Sequence, residues 1–242
     1  MNLQSLPALL SANTYPGRGI VLGRSPDGTR SVAVYFIMGR SANSRNRVFV
    51  PAEDGIRIQA HDPAAMEDPS LVIYHPVRLV SWTLIVTNGD QTDTIRDALA
   101  EDAYPASPGE LFNQALSTRT FEPDAPNYTP RISGILLSDG SFRLSILKSA
   151  DGNPDSRCHF IYDYKSPLPG EGRFLHTYQS DGNPLPSFEG EPVRVSIEAD
   201  TPKALADTVW SALNHDNRVS LYVRYTDLAT GEFKDAIRNR FK

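Results

Sequence analysis

The sequence predicts an α+β protein in which two stacked β-sheets carry helices on their outer faces. Several strand-length runs are almost continuously apolar, such as Ser31 to Met38 and Leu79 to Val86, as expected of strands covered on both sides. Two helical segments, Asp93 to Glu101 and Ser107 to Ser117, follow a block of strands, which favours α+β over alternating βαβ units. About a dozen strands and three or four helices are expected in total.

The first half of the chain supplies six of these strands. Residues 1–14 are expected to form a short helix or an arm, and Ser25-Pro26-Asp27-Gly28 is a strong hairpin turn. Asn88-Gly89 favours a tight turn, and Thr92 is expected to cap the helix that follows it. The predicted strands are 19–24, 31–38, 48–50, 56–58, 71–74 and 79–86.

The second half begins with a proline-rich loop, Phe121 to Arg131. Thr201-Pro202 opens a helix over Lys203 to Leu213, because proline is tolerated in a first helical turn. No segment has the length or composition of an interdomain linker, so residues 15–242 are expected to form a single domain behind the arm of residues 1–14. The predicted strands are 132–137, 141–147, 158–162, 174–178, 193–197 and 219–225.

Composition excludes several classes of protein. The net charge of −5 offers no basic field for nucleic acid. The single cysteine, Cys158, forbids an intramolecular disulfide and a CxxC metal site. The N-terminus lacks the basic and apolar regions of a signal peptide, and no stretch approaches the roughly 20 apolar residues of a membrane span. A cytoplasmic protein without nucleic-acid or membrane partners is expected.

Common catalytic motifs are also missing. The five histidines show no zinc-ligand spacing, and there is no Walker A sequence, no GxGxxG opening a helix and no Gly-x-Ser-x-Gly elbow. An N-terminal nucleophile would need Cys, Ser or Thr at a processed terminus, whereas this chain begins Met-Asn.

Two polar segments at predicted strand ends are candidates for ligand binding. Gly39 to Arg47 contains three arginines, whose forked donors suit phosphate and carboxylate, although a solvated surface turn is the alternative. Asn88 to Asp93 lies at a helix N-terminus, where free amides can hold phosphate or a ribose hydroxyl network. The alternative there is a capped turn with Asp93 placed favourably against the helix dipole.

Four motifs in order carry a family resemblance. They are Tyr-x-Gly-Arg at 15–18, Gly-Arg-Ser…Asn-Arg ending at Arg47, Asn-Gly-x-x-Thr-Asp-Thr-Ile at 88–95 and Thr-Pro-Arg-Ile at 129–132. Together, over residues 15–135, they resemble the archaeal-type IMP cyclohydrolase family. The resemblance implies a four-layer αββα fold like that of N-terminal nucleophile hydrolases, without the processed nucleophile. It also implies closure of 5-formamidoimidazole-4-carboxamide ribotide to IMP, the last step of purine synthesis, with no metal or organic cofactor.

The same resemblance implies a set of site residues. Glu122 is the candidate for proton transfer, and Tyr74 for the developing oxyanion or a proton shuttle. Arg40 completes the catalytic group. Each assignment has a structural alternative: Tyr74 as core, Asp93 as a cap, and Arg131 as no more than a partner of Glu122. The substrate-binding candidates are Arg18, Ser41, Arg47, Asn88, Asp93 and Arg131.

Two other functions remain open from the sequence. An amide hydrolase of the same architecture would need an activated nucleophile, and Cys158 lies in an apolar strand where a thiol is expected to be inert. A non-catalytic purine-ribotide binding protein could keep the same arginines. The sequence leaves a homo-oligomer open.

Overall fold

Fourteen strands and five α-helices make up the fold of the residues that the computed structural model describes, which are 2–67, 69, 72–101 and 106–241. The strands are β1 (Gln4–Ser5), β2 (Arg18–Arg24), β3 (Arg30–Met38), β4 (Arg47–Ala52), β5 (Gly55–Ala60), β6 (Val77–Val80), β7 (Thr83–Thr87), β8 (Arg131–Leu136), β9 (Phe142–Ala150), β10 (Asn153–Tyr164), β11 (Glu171–His176), β12 (Val193–Ser196), β13 (Arg218–Asp227) and β14 (Phe233–Asn239). The helices are α1 (Leu6–Ala12), α2 (Ala42–Arg45), α3 (Gln91–Ala100), α4 (Pro108–Ser117) and α5 (Pro202–Ala212).

The strands form two seven-stranded sheets. Sheet A has the order β1-β12-β11-β2-β3-β13-β14, and sheet B has the order β10-β9-β8-β7-β6-β5-β4. All neighbours are antiparallel except β1 and β12, where Gln4 and Ser5 pair with Val195 and Ser196 in parallel.

Three apolar clusters hold the sheets and the outer helices together in layers. The largest lies between the two sheets and joins residues such as Tyr35 of β3 to Ile132 of β8. A second cluster packs α1 and α5 against the other face of sheet A, and Leu6 and Leu10 of the N-terminal segment are fully buried there. A third packs α3 and α4 against the other face of sheet B through Phe112 and its neighbours. The predicted α+β class, with two stacked sheets and outer helices, is confirmed.

The central β2–β3 hairpin shows why the sequence folds in this way. β3 is buried from Ser31 to Met38, so its continuous apolar run is covered on both faces. The connecting turn uses Gly28 at a φ of 73°, and the Ser25 hydroxyl donates to Asp27 Oδ1 at 2.6 Å.

Three expectations for local structure are wrong, and three elements were missed. The run 79–86 is a hairpin of β6 and β7, because Ser81 adopts a φ of 51° and breaks the strand. Of the predicted strand 71–74, residue 71 lies outside the described residues and 72–74 form a turn, in which the Ile73 amide donates to the Pro69 carbonyl at 2.9 Å. Thr92 does not cap α3: Asp90 holds the cap position, and the Thr92 hydroxyl bonds back to the Gly89 carbonyl at 2.9 Å. Strands β1 and β14 and helix α2 were not expected from the pattern.

One end of the two sheets gathers most of the sequence-predicted site residues, and we call it the arginine end. β2 begins there at Arg18 and β8 begins there at Arg131, while β3 ends there at Met38. Within sheet A, Arg18 pairs with Ile37 near the end of β3, and within sheet B, Arg131 pairs with Leu147 of β9. None of the helices in the described part of the chain is long and apolar enough to cross a membrane.

Candidate functional site

A hydrogen-bonded pair of tyrosines lies between the sheets near the arginine end. Tyr35 of β3 and Tyr74, which precedes β6, are both buried, and their hydroxyl oxygens are 2.8 Å apart. Burial raises the pKa of Tyr35 well above its ordinary value, and Tyr74 raises it further. Two neutral phenols that share one hydrogen bond keep one hydroxyl hydrogen free to donate to a third group.

Arg18 and Arg47 bring two buried positive charges to this pair. Arg47 is fully buried, and its Nε donates to the Ser44 carbonyl at 2.7 Å, whereas Nη1 has no hydrogen-bond partner in the described part of the chain. Burial lowers the pKa of Arg47, and the charge of Arg18 lowers it further. Arg18 also has a buried Nε without a partner. Two like charges with free donors form an environment that an anionic oxygen would stabilise.

Glu122 is the acid of this site. Its side chain is 3% exposed, and Oε1 lies 3.3 Å from Arg131 Nη1 without forming a well-directed hydrogen bond. Burial raises the pKa of the Glu122 carboxyl, although Arg18 and Arg131 oppose the shift. Burial lowers the pKa of Arg18, but Glu122 together with Tyr178, Tyr74 and Tyr15 outweighs burial, and the pKa of Arg18 lies well above the ordinary value. The carboxyl is therefore poised to exchange a proton with a bound molecule.

Arg131 is held in place by the turn that follows β7. Its Nη2 lies 3.3 Å from Asp90 Oδ1, and Asp90 also pairs with Arg119. A Cβ at Gly89 would come within 1.5 Å of Arg131 Nη1, so only glycine allows the guanidinium to lie across this turn. The Asn-Gly motif thus makes room for the arginine of the Thr-Pro-Arg motif.

A chain of hydroxyls that the sequence did not reveal borders Arg18. The Thr129 hydroxyl lies 2.5 Å from the Tyr178 hydroxyl and donates to Asp124 Oδ2 at 2.5 Å. Because Thr129 uses its hydrogen on Asp124, Tyr178 must donate to Thr129. Burial raises the pKa of Tyr178 to about 12. Thr129 lies in a motif that the sequence singled out, but no sequence signal pointed to Tyr178, Asp124 or Tyr35.

The close packing at Gly17 connects Tyr178 to Arg18. Gly17 has a φ of 77°, and a Cβ there would come within 2.2 Å of Thr177 Oγ1 and 2.5 Å of the Tyr178 ring. The glycine of the Tyr-x-Gly-Arg motif therefore lets the chain pass beside Tyr178 and enter β2 at Arg18. Tyr15 of the same motif stacks on Tyr178, with ring centroids 5.8 Å apart.

Two of the predicted residues, Arg40 and Ser41, lie in the exposed start of the loop that follows β3. The Arg40 guanidinium lies over the Tyr15 ring at 5.0 Å and pairs with Asp181 at 2.7 Å, so it is at the rim of the site. Ser41 accepts a hydrogen bond from the Ser44 amide as the cap of the short helix α2. Neither residue contacts the buried group of Arg18, Arg47 and Glu122.

The two remaining predicted residues are engaged elsewhere. Asn88 is fully buried, and its side chain donates to the Pro130 carbonyl at 2.8 Å and accepts from the Ile132 amide at 2.8 Å. Asp93 pairs with Arg78 at 2.6 Å and lines a cleft of about 590 Å³ between α3 and α4. The structure therefore brings together Arg18, Arg47, Tyr74, Glu122 and Arg131, with Arg40 at their rim. Within the described ranges, no group of three or more His, Cys, Asp or Glu residues is arranged to hold a metal ion.

Comparisons with known proteins agree on one family. A family model described as "IMP cyclohydrolase-like protein" matches residues 15–232. An IMP cyclohydrolase of Methanopyrus kandleri is 37% identical over 165 residues, which cover 68% of this chain and 75% of that protein. An IMP cyclohydrolase of Halobacterium salinarum is 31% identical over 56% of this chain and 63% of its own length. One from Methanococcus aeolicus is 26% identical over 62% of this chain and 89% of its own length.

Proposed function

Because the chain belongs to the IMP cyclohydrolase-like protein family, we propose that it closes 5-formamidoimidazole-4-carboxamide ribotide to IMP with loss of water. The observation that carries this proposal is a group of three buried polar atoms that have no hydrogen-bond partner within the described ranges: Arg18 Nε, Arg47 Nη1 and Glu122 Oε1. Buried polar atoms are rarely left unpaired, so together they indicate a site that a polar ligand completes.

The reaction fits this group of atoms. The carboxamide nitrogen attacks the formyl carbon, and negative charge develops on the formyl oxygen. One proton passes from the attacking nitrogen to that oxygen. The carbon–oxygen bond then breaks, and the hydroxyl leaves as water with the proton of the former formamide nitrogen. The ring closes within one molecule, so the protein needs to hold the two groups together, stabilise the oxyanion and move protons.

Each task has a candidate in the site. Arg47 Nη1 and the free hydroxyl hydrogen of the Tyr35–Tyr74 pair are donors for the developing oxyanion. Glu122, whose pKa is raised by burial, accepts the proton of the attacking nitrogen and delivers it to the formyl oxygen, and then carries the proton of the former formamide nitrogen to the leaving hydroxyl. Arg18 and Arg131 on either side of Glu122 keep its carboxylate form accessible.

The rest of the predicted set has supporting roles in this proposal. Arg40, exposed above Tyr15, is the rim cation for the 5′-phosphate, and Ser41 shapes the loop that carries it. Asn88 fixes the start of β8 and thereby Arg131, and Asp93 stays with Arg78 outside the reaction centre.

We also propose that residues 15–242 form the cyclohydrolase-like domain and that its architecture is related to that of N-terminal nucleophile hydrolases. Supporting this, the family match begins at residue 15, and the two sheets are enclosed by helices on both outer faces. In this proposal residues 1–14 are an addition to that domain, packed beside α5.

The test is a direct assay. Purified protein is mixed with the formamido ribotide in the presence of a chelator, and the ultraviolet change of purine ring closure is followed. Rapid formation of IMP, with the uncatalysed rate subtracted, is the expected result. Absence of turnover while IMP still raises the melting temperature would contradict the proposal and favour a ribotide-binding protein.

A further inference from the structure

A second cavity lies at the end of the sandwich opposite the arginine end. It has a volume of about 640 Å³ and is lined by both sheets, through Ser31 of β3, Arg224 of β13 and Leu136 of β8. Arg131 begins β8 and Leu136 ends it, so the cavity lies about 17 Å along the strand from the first site at 3.3 Å per residue. Its size is in the range of small-molecule sites, and the proposed reaction does not use it.

Arg224 supplies the cavity with an incompletely paired charge. The residue is 4% exposed, and its buried Nε has no hydrogen-bond partner among the described residues. Its ion pair to Asp235 is long at 3.5 Å, and the Tyr222 hydroxyl donates to the same carboxylate oxygen. A buried guanidinium with so loose a partner is costly, and an anion in the cavity would compensate its charge.

The charged side chains that line the cavity indicate the charge of the ligand that it binds. Among the described residues around the cavity, Arg224 is the cationic side chain. Asp227, which also lines it, is occupied by its own turn and accepts hydrogen bonds from the Ala229 and Thr230 amides, both at 2.9 Å. One guanidinium matches one carboxylate. A phosphate with two charges would leave one of them unpaired in apolar surroundings.

Two exposed aromatic side chains at the entrance of the cavity indicate the shape of the ligand. Trp82 and Phe233 are 67% and 49% exposed, and the walls behind them include five leucines. The Phe233 ring lies 3.7 Å from the Arg224 guanidinium carbon. Gly231 lies flat under Trp82, since a Cβ there would come within 2.5 Å of the indole. Two exposed rings beside a buried cation favour a flat apolar body that carries its charge inward.

We propose that this cavity is a second ligand site, which binds a planar aromatic monocarboxylate with its carboxylate on Arg224 and its ring beside Trp82 and Phe233. The proposal is independent of the reaction at the arginine end. The probe for it is 2-naphthoate, and its neutral counterpart 2-naphthalenemethanol has the same ring system without the charge.

Isothermal titration of the full-length chain tests the site. We expect 2-naphthoate to bind, and the alcohol to bind roughly tenfold more weakly because it lacks the charge-assisted hydrogen bond. Arg224→Gln and Trp82→Ala should each weaken the acid by a similar factor. Trp82 is exposed, so its variant is expected to fold, and Phe160→Ala, an exposed aromatic on β10, should leave binding unchanged.

Three results would overturn the proposal. Equal affinity for acid and alcohol would mean that Arg224 does not bind the ligand. Equal binding by wild type and Trp82→Ala would place the probe elsewhere. A dimer in sedimentation that dissociates in Trp82→Ala, with no heat from 2-naphthoate up to about 10 mM, would mean that a second copy covers the cavity.

Discussion

Glu122 and Arg47 have shifted pKa values because both side chains are buried close to other charged side chains. On the protein surface neither residue would be unusual. Glu122 lies among Arg18, Arg131 and Arg47, yet burial dominates and raises its pKa. Arg47 faces Arg18 with Nη1 free, and its pKa is lowered. At the scale of the residue, the site therefore stores unfavourable interactions that a substrate with an oxyanion and exchangeable protons would relieve.

Replacing Glu122 by Gln tests its role in proton transfer. Glutamine keeps the shape and can still face Arg131 but cannot carry a proton between nitrogen and oxygen. We expect turnover to fall by roughly 10²–10⁴-fold while the affinity for IMP changes little. The measurement is the ultraviolet ring-closure assay beside a titration with IMP. Glu189→Gln, whose parent side chain is 80% exposed, is the control, and unchanged turnover in Glu122→Gln would refute the role.

Replacing Arg47 by Met tests whether its charge serves the ligand or the fold. Removing one of two buried like charges should leave the free energy of unfolding within about 1 kcal/mol of wild type, or raise it. The affinity for IMP should fall roughly tenfold or more. Urea unfolding and calorimetry measure the two effects, with the exposed Arg57→Met as a matched control. A loss of stability without a loss of affinity would show that Arg47 is structural.

At the scale of the element, the end of β7 and the start of β8 are joined by side-chain as well as backbone hydrogen bonds. Asn88, after β7, bonds to the backbone on both sides of Arg131 through the Pro130 carbonyl and the Ile132 amide. Gln91 of α3 donates to the same Asn88 oxygen at 3.2 Å. These bonds hold the start of β8, at Arg131, in place. They also occupy the Asn88 side-chain atoms that were expected from the sequence to bind a ligand.

Asn88→Asp tests this structural role. The new carboxylate would set an acceptor against the Pro130 carbonyl and bury a charge, so we expect a loss of more than about 2 kcal/mol in the free energy of unfolding. Asp93→Asn, in the first turn of α3 and half exposed, should cost much less. Denaturant titration at neutral pH measures both variants. If Asn88→Asp kept wild-type stability but bound the ligand more weakly, the structural role would be refuted and Asn88 would be a ligand-binding residue.

At the scale of the whole molecule, a buried histidine makes the fold sensitive to acid. His176 lies at the end of β11 between Phe174 and Phe188, with ring centroids 4.6 Å away on each side. Its Nδ1 donates to the Tyr178 carbonyl at 2.7 Å. Burial lowers the pKa of His176 to about 4 from an ordinary 6.5. The unfolded chain therefore binds the proton first, and stability falls as the pH drops from 6.5 towards 4.

The size of this effect can be predicted. Between pH 7 and pH 5 the His176 linkage should remove about 2 kcal/mol from the free energy of unfolding. His176→Gln should be less stable at pH 7 but should lose less stability on acidification. His215→Gln, whose parent side chain is 80% exposed, should show the wild-type pH dependence. Urea unfolding at the two pH values measures the linkage, and equal slopes for wild type and His176→Gln would refute it.

Much of the fold followed from local pattern. Continuous apolar runs placed β2, β3, β8 and β9, and proline marked the starts of α4 and α5. The apolar pattern did not predict the two-residue strand β1 or the exposed strand β14, because these strands form by pairing with distant parts of the chain. It also failed at Ser81, whose positive φ divides one apolar run into a hairpin.

The sequence by itself determined the fold class and the family, because apolar periodicity and motif order are properties of the chain. It also named Arg18, Arg47, Tyr74, Glu122 and Arg131, which the structure brings to one end of the sandwich. Only the tertiary structure decided which polar residues are free for a ligand and which, like Asn88, are consumed by the backbone. It alone revealed Tyr35, Tyr178 and the second cavity, because burial and pairing across two sheets arise from contacts between residues far apart in the chain.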